Sequence, residues 1–107
     1  MNAAEPELRK LVELELEAAN RENPPFHSAH EGYAVILEEV EEARDELNNL
    51  DFQIVRLWDF VKSNQVAVRH DSAFGVEYHA VRLAAEALQV AAMARKCRKL
   101  GGGNDDA

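Results

Sequence analysis

Apolar residues return every three or four positions along most of this chain. Leu8, Leu11, Val12 and Leu16 follow Pro6 in that rhythm, predicting an amphipathic helix from Pro6 to about Asn20. Asn23-Pro24-Pro25 forbids continuation, because proline lacks the N–H and crowds the preceding turn. Ser28-Ala-His-Glu31 has the form of a capping box, a hydroxyl at the N-cap with a carboxylate three positions on. It predicts a second helix with Tyr33, Ile36, Leu37, Val40, Ala43 and Leu47 on its apolar side, ending near Asn48-Asn49. Gly32 in the first turn is a mild helix penalty of the kind that marks a close backbone approach.

Phe52, Val55, Leu57, Trp58, Phe60 and Val61 predict a third helix with Asp51 as its N-cap. Their β-branched and aromatic character leaves a strand open as the alternative. Residues 63–72 read as loop. From about Ser72 to Leu100 an alanine-rich run makes the strongest helix, ended by Gly101-Gly102-Gly103, and residues 104–107 read as a disordered polar tail. The expectation is one all-α domain over residues 1–100, an antiparallel four-helix bundle, with 101–107 outside it. The last helix is small or apolar almost all round, at 81, 84, 85, 87, 88, 90, 91, 92 and 94. That exceeds what one bundle face needs, so a homodimer or higher homo-oligomer through the helices is expected.

Charge narrows the function. A net charge of −8 over 107 residues leaves no basic face to neutralise phosphates, which argues against nucleic acid. Arg95, Lys96, Arg98 and Lys99 form a dense basic cluster, but they sit where a helix C-terminus favours cations. The single cysteine, Cys97, cannot form an intrachain disulfide and reads as a reduced, buried thiol. No apolar run resembles a signal peptide or reaches the ~18 residues of a membrane span. A cytoplasmic protein without a membrane partner is the expectation.

Against that background the segment from Leu37 to Leu47 stands out. Glu38, Glu39, Glu41, Glu42, Asp45 and Glu46 crowd two helical turns, with Arg44 the only cation among them. Pairs 38/42, 41/45 and 42/46 are like-charge neighbours, each costing roughly 0.2–0.5 kcal/mol. A bound divalent cation would relieve that repulsion. In the last helix His79, Arg82, Glu86 and Gln89 make a narrow polar stripe at spacings of three and four, so Glu86 is placed to face the acidic turn. Converging carboxylates suit hard, oxygen-seeking Mg²⁺ or Mn²⁺. Glu41, Asp45 and Glu46 are expected to face solvent.

Glu38-Glu39-Val-Glu-Glu42 resembles the EExxE motif of the MazG-like, all-α nucleoside triphosphate pyrophosphohydrolases, and Glu86-Ala-Leu-Gln89 lies where their ExxD motif would fall. The phrase from His27 to Glu39, with the run from Glu86 to Ala94, looks like the small single-domain members common in bacteriophage genomes. The likeness covers roughly residues 26–97. It implies Mg²⁺-dependent hydrolysis of a nucleoside or deoxynucleoside triphosphate to monophosphate and pyrophosphate. By motif, Glu39, Glu42 and Glu86 would be metal ligands, and Glu38 a further ligand or the base that orients the attacking water. Gln89 would take the remaining metal position with a neutral amide where the family has aspartate.

Arg82, His30 beside the cap of the acidic helix, and Trp58 are the candidate substrate contacts, Trp58 by stacking on a base. A lone tryptophan in an apolar stripe is more often core packing. No Glu-x-x-His pair of the di-iron kind, Gly-rich phosphate loop, zinc spacing or nucleophile arrangement is present. Two other classes stay open: a non-catalytic helical binding or regulatory module of the same fold, and a structural bundle whose acidic helix docks a basic partner.

Overall fold

The computed structural model describes residues 3–100, and residues 66–69 only as helical backbone. It holds three helices, α1 (Glu5–Glu22), α2 (Ala29–Lys62) and α3 (Val66–Arg98), and no strand among the described residues. The all-helical class follows from the periodicity. The expected polar tail at 101–107 lies outside the described residues.

Pro6 enters in the first turn of α1, where its missing N–H costs nothing, and Glu5 and Glu7 complement the positive helix end. At the other end Asn23 turns extended ahead of Pro24 while its N–H still donates to Ala19 O at 2.9 Å. Ser28 caps α2, its Oγ accepting from Glu31 N at 3.1 Å. The Glu31 carboxylate reaches back one residue further than a regular capping box, accepting from His27 N at 3.3 Å and meeting His27 Nδ1 at 3.1 Å.

Three helices stand where the spacing predicted four. The expected break at Asn48-Asn49 is absent, and α2 runs through 34 residues, about 51 Å at 1.5 Å per residue. Neither glycine nor proline occurs between Gly32 and Gly75, and asparagine or aspartate inside a helix costs less than about 0.7 kcal/mol each. The true stop comes at residues 63–65. Asn64 takes a left-handed φ of 59°, its N–H donates to Val61 O at 3.2 Å, and Gln65 N donates to Phe60 O at 3.1 Å. This is a Schellman cap with asparagine in the place usually held by glycine. Most of the expected 63–72 loop is therefore the first turns of α3.

The described chain divides into two compact units, one of residues up to Val40 with those from Glu86 onward, the other Glu41–Ala85. In the first, α1 packs with the start of α2 and the end of α3. Val12, Leu16, Phe26, Ala92 and Met93 form its buried core, flanked by Ala19, Val35, Ile36, Leu88, Cys97 and Leu100. Gly32 explains itself here. A Cβ on it would stand 2.8 Å from Cys97 Sγ and 3.2 Å from the Phe26 ring, so only glycine lets α3 approach this closely.

The second unit is a two-helix hairpin. Glu46 lies opposite Arg82 and Gln53 opposite Gly75, so seven residues forward on α2 match seven backward on α3, an antiparallel pairing. The described side chains it buries are polar, Glu46 at 8% and Ser72 at 1% exposure. Trp58 and its neighbours, expected on an apolar inner stripe, lie outside: Trp58 is 58% exposed, Phe52 61% and Phe74 64%. Six of the exposed apolar residues keep a four–three spacing, Ile54, Trp58 and Val61 on α2 and Phe74, Tyr78 and Val81 on α3. That spacing lays them along one stripe of each helix.

Candidate metal centre and cleft

Glu39 and Glu42 sit one turn apart on α2 and therefore on one face. With Glu86 of α3, each offers a carboxylate oxygen, and these atoms all lie within 4.8 Å of one another. Glu39 and Glu86 are half-buried and Glu42 is exposed. At such separations like charges repel by about 1 kcal/mol in water and about 4 kcal/mol near a protein surface. Positive charge removes that cost. Three anionic oxygens are the donor set that Mg²⁺ or Mn²⁺ prefers, and ions with oxygen ligands at about 2.0–2.6 Å hold those ligands within this spread.

Glu39 also borders a cleft of about 510 Å³ in the first unit, a size ordinary for a small-molecule site. Glu38 joins it from α2, Gln89, Met93 and Lys96 come from α3, and Phe26 from the connecting segment. The cleft is acidic on the α2 side and cationic at Lys96. Lys96 is 8% exposed, with Nζ 4.8 Å from the centroid of the Phe26 ring. Glu31, also on the wall, is held below the usual carboxylate range chiefly by its bond to the His27 ring, with Lys96 a smaller contribution.

Among the residues singled out by the sequence, Glu38, Glu39 and Gln89 meet in the cleft, and Glu39, Glu42 and Glu86 in the carboxylate cluster. Gln89 Nε2 donates to Glu15 Oε2 of α1 at 2.5 Å. The amide at 89 thus has a structural reason: an aspartate there would set a second carboxylate beside Glu15. Arg82 belongs to the hairpin, where its Nε donates to Glu46 Oε1 at 2.7 Å. His30 is exposed. Trp58 lies in the hairpin with Lys62 Nζ 5.4 Å from its ring centroid. None of these three residues lines the cleft.

Three residues escaped the sequence reading. Glu46, expected in solvent, is buried, with His79 Nδ1 at 2.9 Å from Oε2 as well as Arg82 on Oε1. Arg82 first and His79 second hold its carboxyl down to about 2. The polar stripe on α3 was the available signal, since His79 and Arg82 needed an acidic partner. Glu15 lies within an alternating Glu-Leu run that gives no sign of which acid turns inward. Lys96 was hidden among the basic residues of a helix end.

No protein family, curated protein or solved structure matches this chain. What the fold and site define is an all-helical protein with a carboxylate cluster at the border of a cleft.

Proposed function

We propose that this protein is a Mg²⁺- or Mn²⁺-dependent nucleoside triphosphate pyrophosphohydrolase of MazG-like type, acting on the cytoplasmic nucleotide pool. The observation that carries the reading is the convergence of Glu39, Glu42 and Glu86 beside a cleft that Glu38, Glu39 and Gln89 line. The three clustered carboxylates would hold the metal. When bound, it would neutralise triphosphate charge and make a water acidic enough to attack phosphorus. Glu38, one residue from the first ligand, orients that water and takes its proton. Water oxygen adds to the α-phosphorus, the bond to the bridging oxygen breaks, and pyrophosphate leaves.

The same reading includes assembly of two copies into a four-helix bundle. Nine large apolar residues of the hairpin are exposed. At about 100 Å² of exposed surface each they offer roughly 900 Å² per copy, enough for the ~800 Å² per partner of a standard interface.

Pyrophosphate release from a panel of ribo- and deoxyribonucleoside triphosphates, with Mg²⁺ and with Mn²⁺, tests the reaction. Turnover that Glu39→Ala and Glu42→Ala abolish is expected. In parallel, either metal raises the melting temperature of wild type and leaves both variants unmoved. A metal-dependent melt without release on any triphosphate would make the chain a binding module. No metal effect at all would leave a structural bundle.

A further inference from the structure

Lysine is seldom buried without an ionic partner, because its ammonium carries three donors and a full charge. Lys96 is 92% buried, being 8% exposed. Among the described residues its ammonium has the Phe26 ring face as its contact, with no hydrogen bond or ion pair. A ring face attracts the charge but accepts little from three N–H groups. The nearby Glu31 carboxylate is engaged by His27 through both the ring and the backbone N–H. Lys96 lines the same cleft as Glu38 and Glu39.

We infer that Lys96 is the direct anion contact of this cleft, taking an oxygen of a phosphate or pyrophosphate group. A polyphosphate is then held by unlike devices, through the carboxylate-held metal and through the Lys96 ammonium. This rests on the triphosphate reading above, and it names a residue that the motifs do not contain. The stem of Lys96 is buried while its ammonium is not among the buried unpartnered atoms, so an anion entering the cleft meets the charge directly.

Calorimetric titration of inorganic pyrophosphate into the full chain, once in EDTA and once with Ca²⁺, tests the assignment. Lys96→Met keeps the buried stem and removes the charge. In both titrations it weakens binding about tenfold or more, the scale of one hydrogen bond to a charged group. Lys96→Arg stays within a few-fold of wild type. Equal affinities for wild type and Lys96→Met overturn the proposal, as does wild type binding pyrophosphate in neither titration. A lower melting temperature with unchanged affinity also overturns it, making Lys96 a purely structural partner of Phe26. If Ca²⁺ adds nothing to wild-type affinity while the Lys96→Met loss persists in EDTA, the metal reading falls and the Lys96 assignment stands.

Discussion

The same two helices behave differently along their length. Residues 29–40 and 86–100 pack with α1 around Leu16 at 1% and Ala92 at 0% exposure. Residues 41–85 bury Glu46 and Ser72 and leave Trp58 and Phe74 open to solvent. Composition does not explain the contrast, because both stretches carry ample apolar residues at helical spacing. Geometry does: two helices in a hairpin can cover only one seam, whereas a third helix closes a triangular core. Where the seam is polar, as with Glu46 opposite His79 and Arg82, the apolar stripes are left outside. The proposed assembly of two copies would cover such a stripe.

The largest expected effect separates the units by stability. Leu16→Ala loses about 2–5 kcal/mol by leaving a cavity, read from urea denaturation. Trp58→Ala, at an exposed site, changes the unfolding of dilute protein by less than about 0.5 kcal/mol. It instead weakens self-association measured by sedimentation. Equal costs for the two variants would erase the contrast.

Acid unfolding comes next. The Glu46 carboxyl is depressed to about 2 from an ordinary 4.5, so the stability it supplies is fully present above about 4.5 and is lost as pH falls toward 2. Glu46→Gln should remove that part of the fall in melting temperature between pH 5 and pH 2. A variant whose pH profile parallels wild type would show that the Arg82 and His79 contacts do not operate in solution.

The smallest effects compare two glycines on helices. Gly32→Ala forces a methyl against Cys97 Sγ at 2.8 Å. Overpacking of about 1–3 kcal/mol outweighs or cancels a helix-propensity gain of about 1 kcal/mol, and Cys97→Ala restores the loss. Gly75→Ala meets the Gln53 side chain, which can swing away. It should keep a gain of up to about 1 kcal/mol. Thermal melts of the three variants distinguish a tight seam from a yielding one.

Several parts of the site were legible early because they depend on local spacing. The Glu39–Glu42 face follows from one helical turn, the Ser28–Glu31 cap from adjacent residues, and Gly32 from the need for a close neighbour. Lys96 was illegible for the opposite reason. A lysine near a helix C-terminus satisfies the dipole whether it points outward or, as here, lies over Phe26 in a cleft. Glu15 and Glu46 failed likewise, since both found partners on another helix, 74 and 33 residues away in the chain.

The order of amino acids alone determined that this chain is helical, where proline stops α1, and that acids crowd one turn of α2, because these depend on contacts within a few residues. Tertiary structure decided that Asn48-Asn49 is passed over and that Glu86 closes on Glu39 and Glu42. It also turned Glu46 and Lys96 inward and Trp58 outward. Periodicity says that a face is apolar or charged, but burial depends on which helix arrives to cover it.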